Sequence, residues 1–559
     1  MNRQIRDIAI MLLASVLYVG SVFLAVRGKT FRLDSDYDAN LPVVAYVMDT
    51  IRNEKRFPFW NPYISTGISV LGDPLSAVTY MPYFLPMLIF GVPDGWWVVI
   101  GLHAFMAGVF MWMFLVKITS PRLAAIRTDR SSVRSRLPLW GGLLYMSGGA
   151  YAARVAAGHI DQAVSYSWYP LLLLFLVGRK QTVGKAVAAG VLLGVAFLTG
   201  DWYAVLFMVI FCGVVSVVRA LEIRNREIRV RRWIREILVT GVAFASLGSI
   251  KLVPFFLDVW PQMSRFSTFD ATRGSLHAFL TWIPFVMPWG VAFYDRPIFQ
   301  RLLGFWYNWY EYYAFIGLPT IFLFWLPRVI RRREVQILLL LLFVGLAYVA
   351  RGHAYSPWYG LAGLLHGFRT PQRIYEGLTS VVVALVVLCV DYVTRSGFPR
   401  RSHGIGLPAA YHPRGALSFL HLALWGGVLV SFLVNGYQMT RAFEYPRSTE
   451  EAVVQELRVR DGEEISVATF ACCTQTFLVR SGIRVVNYYY GWRPKNSGQF
   501  VTPDGTSISL EPLAWEKPTY ILARPTIEFG RYGYEAWFQK GEIVVWRHTF
   551  LAGPAAVEI

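Results

Sequence analysis

Apolar residues in this chain gather in long runs separated by short polar stretches rich in arginine. The first run, residues 8–26 (IAIMLLASVLYVGSVFLAV), is long enough to cross a bilayer as a helix. Further runs fall at about 96–116, 138–156, 163–178, 184–200, 202–218, 236–257, 311–327, 335–350, 376–393 and 416–434. Several are short for a span and must borrow flanking residues or tilt. The pattern predicts about eleven membrane-spanning helices. Arg3 and Arg6 precede the first run, which is longer than the apolar part of a signal peptide and lacks a small-residue cleavage site. An uncleaved first span with its N-terminus in the cytoplasm is the expectation.

The basic loops alternate as such a topology requires. Lys117, Arg122, Arg127, Arg130, Arg134 and Arg136 fill one loop, and Arg179, Lys180 and Lys185 a second. Arg219, Arg224, Arg226, Arg229, Arg231, Arg232 and Arg235 follow, then Arg328, Arg331, Arg332 and Arg333, then Arg395, Arg400, Arg401 and Arg414. One assignment puts all of them on the cytoplasmic side. It excludes a full crossing by residues 80–92 (YMPYFLPMLIFGV), which would flip the first of these loops; that segment reads as interfacial or re-entrant. Residues 276–294, with Pro284 and Pro288, read the same way.

The remaining polar stretches, 27–95, 258–310 and 351–375, fall outside, as does the tail from 435 onward. Two domains are expected: a multi-span domain over 1–434 and an extracytoplasmic one over 435–559. In the tail EEISVATF, IRVVNYYY, PTYILARP and EIVVWRH alternate apolar and polar residues between turn-forming ones, the signature of strands. Residues 449–460 suit one helix. The fold class is thus an all-α polytopic membrane protein with a small β-rich C-terminal domain.

Composition supports the membrane and narrows the partners. Of 559 residues 55% are hydrophobic and only 16% charged, with a mean hydropathy of +0.42. Soluble domains carry about a quarter charged residues. The net charge of +19 invites a nucleic-acid reading, but the cations sit in short loops between apolar runs, where they set topology. No nucleic-acid partner is expected. Cys212 and Cys389 lie in apolar runs, Cys472 and Cys473 are adjacent, and no disulfide framework or zinc spacing appears. No Gly-rich nucleotide loop precedes a helix, so neither a cofactor nor a cytoplasmic nucleotide-sugar donor is expected.

Ionisable residues within the runs are few: His103, Lys251 and His421, with Asp391 near a cytoplasmic end. That argues against an ion-driven transporter. Polar chemistry gathers in the outer loops. The first presents Asp34, Asp36 and Asp38, then Asp49 and Glu54, then the turn Trp60-Asn61-Pro62-Tyr63. A carboxylate flanked by like charges can act as a general base, although such acids also cap helices, here one over 40–52. His159 and Asp161 occupy the second outer loop, where they either meet a sugar hydroxyl or stabilise the loop. Trp306, Tyr307, Trp309, Tyr310, Tyr312 and Tyr313 offer faces for a sugar or an interfacial belt. Tyr488, Tyr489, Tyr490 and Trp492 in the tail read likewise.

These segments resemble, in order, those of the YfhO-type bacterial membrane proteins. Asp36 with Asn40 resembles that family's Asp–Gln start, with Asn in place of Gln. PFWNPYISTG (58–67) with GDP (72–74) resembles its Trp-Asn-Pro stretch, and AGHIDQAVSYSWYPLLL (157–173) its Gly-His loop. KLVPFFLDVWPQMSR (251–265), YAFIGLPTIFLF (313–324) and LHGFRTPQRIYEGL (365–378) resemble later signatures. The likeness covers about residues 1–395, and WRHTFLAGPAAVEI resembles the family's ending. YfhO-type proteins in turn resemble the GT-C glycosyltransferases, which take sugars from polyprenyl-phosphate carriers at the outer face.

The resemblance implies a GT-C-like membrane glycosyltransferase of the inner membrane. Asp36, with Asp38 second, would be the catalytic base, and Arg369, Arg373 and Arg265 would hold the donor phosphate, where a guanidinium fork suits phosphate oxygens. Arg154 is a further cationic candidate. His159, Asp161, Asn61 and Tyr63 would contact substrate. The partners implied are a polyprenyl-phosphate-linked sugar, membrane lipid, and a glycan, lipid or protein acceptor; no metal ligand set is implied. The rival readings are a flippase or exporter of a lipid-linked glycan and a non-catalytic scaffold.

Overall fold

The computed structural model describes residues 3–27, 29–31, 37–63, 67–92, 94–119, 133–178, 182–223, 225–259, 282–288, 309–350, 371–396 and 413–440. In the tail it describes 443–446, 452–453, 455–457, 466–470, 484–485, 520–523, 534–540 and 543–548. Helix α1 (Arg3–Val26) leads through strand β1 (Lys29–Phe31) to α2 (Tyr37–Glu54). After the short β2–β3 hairpin (Trp60–Asn61, Ile68–Ser69) come α3 (Met81–Phe90) and α4 (Asp94–Thr119). The chain continues through α5 (Val133–Met146), α6 (Gly149–Ala157), α7 (Ile160–Ser165) and α8 (Tyr169–Leu176). Then follow α9 (Val183–Leu198), α10 (Trp202–Leu221) and α11 (Arg226–Pro254), the last running into a π turn at Phe255–Val259. The later helices are α12 (Trp309–Tyr312), α13 (Leu326–Val329), α14 (Arg333–Val349), α15 (Tyr375–Ser396) and α16 (Pro413–Thr440).

Among the described residues six helical stretches are long and apolar enough to cross a membrane: Arg3–Val26, Asp94–Thr119, Trp202–Leu221, Glu227–Val259, Gln372–Arg395 and Leu420–Thr440. The chain is a helical membrane protein. The other apolar runs are helical but shorter or broken. The run at 138–156 splits at Ser147-Gly148, and the run at 311–327 is largely a 3₁₀ turn, Leu318–Trp325. The first break is satisfied locally. Asn435 Nδ2 donates to the Ser147 carbonyl at 2.5 Å and Ser431 Oγ at 3.1 Å. Gly149 N–H donates to Phe315 O at 2.9 Å, an approach a side chain at Gly149 would block, since its Cβ would stand 2.4 Å from Phe315 N. A broken helix is tolerated in a membrane protein where neighbours take up the freed groups in this way.

Helix α3, over the segment expected to lie at the interface, has ten residues. It rises about 15 Å, half the hydrocarbon thickness. Arg52 Nε holds its Leu88 carbonyl at 3.0 Å, tying it to the end of α2. Of residues 276–294, only 282–288 are described, with one 3₁₀ turn at Ile283–Phe285.

Long-range contacts sort the loops by face. Arg333 of α14 makes a two-pronged pair with Glu222 beyond α10, at 2.7 and 2.6 Å. Asp391 of α15 meets Arg332 at 3.3 Å and Arg395 at 2.8 Å. The Arg333–Glu222 and Arg332–Asp391 contacts each join two segments that the charge pattern assigns to one side. At the opposite end, α1 and α16 lie against each other and leave on the same face: β1 pairs antiparallel with β4 (Phe443–Pro446), with Thr30 opposite Tyr445.

Beyond β4 the strands β5 (Ser466–Phe470), β6 (Arg484–Val485), β7 (Tyr520–Ala523), β8 (Tyr534–Lys540) and β9 (Ile543–His548) form one mixed sheet in the order β6-β5-β7-β9-β8. Four of the five lie in the alternating segments of the tail. The other, β8, is the partner of β9 and reads YEAWFQK, with a bulge between Ala536 and Phe538 that breaks the alternation. Residues 452–453 and 455–457 are helical, and Val453 and Leu457 are buried four apart on one face.

Candidate active site

Helix α6 is short because Gly158 ends it in the left-handed conformation, φ +82°, where glycine is the natural residue. The reversal brings His159 N–H to the Arg154 carbonyl at 3.0 Å and sets the imidazole beside the Arg154 guanidinium, Nδ1 to Nη1 3.1 Å. With Arg154 donating, Nδ1 accepts and the ring proton sits on Nε2, which faces Glu311 Oε1 at 4.0 Å.

Arg154 is the centre of a buried charge cluster. Its Nη1 donates to Glu311 Oε2 at 2.7 Å, and its Nε lies 2.7 Å from Glu376 Oε1, an ion-pair contact that is not aligned as a hydrogen bond. Glu311 comes from α12 and Glu376 from the start of α15. The Arg373 fork closes on Glu311 from the other side, Nη2 to Oε1 2.9 Å and Nε to Oε1 3.2 Å, with its Cζ 4.7 Å from the centre of the Tyr203 ring. Burial alone would raise the Glu311 carboxyl, but Arg373 and Arg154 outweigh it and hold the group well below the usual carboxylate range. Two arginines and two glutamates thus neutralise each other out of water, where an unpaired charge would be costly.

Around this centre stand further polar groups. Asp201 caps α10, accepting from Ala204 N–H at 2.9 Å, and accepts from the Ser165 hydroxyl. Gln372, beside Arg373, is buried with neither amide atom bonded among the described residues, and Gln162 Oε1 is in the same position. Buried polar atoms of this kind are uncommon in native folds and mark places where water or a ligand completes the bonding.

The start of α2 reaches this cluster through Tyr37. That side chain is 1% exposed; its hydroxyl donates to Val155 O at 2.7 Å, next to Arg154, and accepts from Trp96 Nε1 at 3.1 Å. A second tie runs through the GDP segment. Lys251 Nζ donates to Pro74 O at 2.9 Å and Ser76 O at 2.7 Å, and Ser69 Oγ donates to Asp258 at 2.8 Å. Gly200, φ +89°, lets the Leu75 carbonyl come within 2.4 Å of where a Cβ would sit. Two segments far apart in the sequence, 72–76 and 251–259, therefore pack as one unit.

The sequence-derived candidates fall out unequally. Asp36, Arg265 and Arg369 lie outside the described residues. Asp38 belongs to the first turn of α2, which starts at Tyr37 rather than at residue 40. Arg373 and His159 meet in the Arg154 cluster through Glu311. Asp161, in α7, is buried nearby. Asn61 is fully buried in the hairpin turn, its Oδ1 accepting from Tyr63 N–H at 3.0 Å, while its Nδ2 has no partner among the described residues. The Tyr63 ring packs edge-on against Tyr46, 5.6 Å between centres. Tyr312 and Tyr313 are core residues, Tyr313 donating to Asn435 Oδ1 at 2.8 Å. Trp306 and Tyr307, and Tyr488, Tyr489, Tyr490 and Trp492, fall outside the described residues.

Glu311, Glu376, Asp201 and Gln372 were not singled out from sequence. The signal was present: each is a polar residue at the margin of an apolar run, where a membrane protein keeps few without a role. Among the described residues no group of three or more His, Cys, Asp or Glu stands together as a metal site.

No protein-family model matches the chain, and none of the curated proteins matches it. Solved structures do. ArnT from Cupriavidus metallidurans in the apo state superposes with a TM-score of 0.50 at 13% identity, over 98% of this chain and 99% of that one. The same protein bound to undecaprenyl phosphate gives 0.49 at 13% identity, over 98% and 99%. The Archaeoglobus fulgidus oligosaccharyltransferase, tethered to an acceptor peptide with the NVT sequon, gives 0.50 at 12% identity, over 95% of this chain and 70% of that one. At these identities the likeness is one of fold: the chain has a GT-C-like membrane fold.

Proposed function

We propose that the chain is a membrane glycosyltransferase of YfhO type, moving a sugar from a polyprenyl-phosphate carrier to an acceptor at the extracytoplasmic face of the inner membrane. The observation that carries this reading is the meeting of Arg154, Arg373, His159 and Glu311 beneath the first outer loop, in a fold shared with an oligosaccharyltransferase. Transfer from such a carrier forms a bond from the acceptor oxygen to the anomeric carbon and breaks that carbon's bond to the carrier, releasing polyprenyl phosphate, and fixed cations stabilise the charge that develops on it. Arg373, with Arg369 and Arg265, serves that need; its guanidinium retains donor capacity beyond Glu311 and its side chain is 17% exposed, against 2% for Arg154. Asp36, or Asp38 if not Asp36, assists deprotonation of the acceptor hydroxyl. His159, Asp161, Asn61 and Tyr63 contact the sugar or acceptor, and Gln372 is added to them because its amide is buried beside Arg373. The domains are the spanning part over 1–434, with about eleven crossings, and an extracytoplasmic tail over 435–559.

The experiment is transfer by purified protein supplied with a polyprenyl-phosphate sugar. Asp36→Asn removes the base at nearly constant volume, so transfer should fall by a factor of roughly 10²–10⁴. Arg373→Lys should keep more activity than Arg373→Ala, since charge survives and only the fork is lost. A second reading has an observation in its favour: Glu311 holds Arg373 by two prongs, as a purely bracing contact would, which suits a non-catalytic scaffold. Undiminished transfer by Asp36→Asn rejects Asp36 as base; absence of transfer by the intact protein with any such donor favours the scaffold.

A further inference from the structure

At the membrane face that carries the basic loops, the ends of four helices converge on the C-terminus of α8. Lys117, from the last turn of α4, donates to Leu174 O, and Arg219, from the end of α10, donates to Leu176 O. Arg333, from the start of α14, reaches Gly178 O at 3.4 Å. Lys185 enters from the first turn of α9. At the point where a Cβ on Gly178 would stand, Lys185 Nζ is 3.4 Å away and Lys117 Nζ 3.5 Å, so the two ammonium groups lie within about 7 Å of each other.

Four cations therefore gather at the C-terminal end of α8. The α8 carbonyls they cap are worth about half a negative charge. Glu222 supplies one more, engaged by the Arg333 fork, and Glu236 is matched by Arg232 at 3.2 Å. The cations outnumber the acidic groups that these contacts bring to them, in a half-buried position where screening by water is weak. Lys117 has three N–H donors, of which Leu174 O takes one. An anion with several acceptor oxygens, small enough to sit between helix ends, meets these requirements.

We propose that this cluster is a binding site for one phosphate group, carried by an anionic lipid headgroup or free in solution. It lies at the end of the helices opposite the Arg154 cluster and is independent of the transferase reading. Basic pockets between helix ends at this face are suited to anionic headgroups.

The test uses the full-length protein in detergent, with phosphatidylglycerol, phosphatidylcholine and inorganic phosphate as separate probes. Native mass spectrometry counts retained molecules, and the thermal unfolding midpoint reports stabilisation. Phosphatidylglycerol should be retained one per chain and raise the midpoint, and phosphatidylcholine should do neither. A midpoint shift with millimolar inorganic phosphate alone assigns the site to the free anion; a shift only with phosphatidylglycerol assigns it to the lipid. Lys117→Gln with Lys185→Gln should weaken the effective ligand roughly thirtyfold, near fivefold for each charge. Lys185→Gln alone gives the fivefold effect should the double variant fail to fold. Arg231→Gln, an exposed change on the same face, should leave binding unaltered. Equal binding by Lys185→Gln and the unaltered protein overturns the proposal. So does an equal loss in Arg231→Gln, which would indicate diffuse surface attraction.

Discussion

Arg154 and Glu311, separated by 157 residues in sequence, meet at 2.7 Å with both side chains almost wholly buried. The same carboxylate is gripped by Arg373, so one acidic residue bridges two cations from distant parts of the chain, with Glu376 the second counter-charge. Removing it leaves both guanidinium groups buried and under-compensated. Glu311→Gln, which keeps shape and two polar atoms, is expected to cost about 3–5 kcal/mol. The loss should appear as a lower unfolding midpoint of the purified protein; an unchanged midpoint would place the cluster in contact with water or another counter-ion.

The same group sets a pH dependence. The Glu311 carboxyl is held below its ordinary value in the folded state, so its contribution is fully present above the unfolded value of about 4.3. It is lost as pH falls from there through the folded value. The midpoint should change little between neutral pH and about pH 5 on this account and then decline with acid. Glu311→Gln should show a shallower acid decline than the unaltered protein. Parallel acid profiles would remove Glu311 as the source.

Glycine positions separate close packing from mere tolerance. Gly200 combines a φ of +89° with the Leu75 carbonyl 2.4 Å from where a Cβ would sit. Gly200→Ala should therefore destabilise by at least about 1–3 kcal/mol and loosen the 72–76 segment held by Lys251. Gly213, within α10, has nothing within 4 Å of its added Cβ, so Gly213→Ala should be neutral or mildly stabilising. Unfolding midpoints of the two variants, measured side by side, check the contrast.

Much of the helical framework was legible in the sequence because apolar runs and basic loops report burial and topology one residue at a time. The tail strands were legible for the same reason, save β8, whose bulge disturbs the alternation. The site was legible only in part. His159 and Arg373 stood out by type and place, but Glu311 sits inside an aromatic run, WYEYYAF, where it reads as one polar residue in a belt. Its meaning lies in partners 157 and 62 residues away, which no local pattern encodes. Helix breaks were hidden similarly: the run at 138–156 looks continuous, and what ends α5 at Met146 is the supply of bonds from Asn435 and Ser431 of α16.

The pairing of β1 with β4 yields the last expectation. Thr30 follows α1 and Tyr445 follows α16, and the two are cross-strand partners. Antiparallel partners stand about 4.5–5.5 Å apart between Cα atoms, within reach of a disulfide. Thr30→Cys with Tyr445→Cys, in a background where Cys472 and Cys473 are replaced by serine, should cross-link under mild oxidation; Cys212 and Cys389 lie within helices. With the N-terminus inside and α1 crossing once, this link sits outside, and a membrane-impermeant thiol reagent should block it in intact cells. A reporter fused after Arg414, before α16 begins its apolar stretch, should lie in the cytoplasm, and one after Ile559 outside. Reporters on the same side would mean that α16 does not cross, and the eleven-span topology would fall with it. A cross-link blocked only after the membrane is permeabilised would invert the orientation while leaving the shared face of α1 and α16 intact.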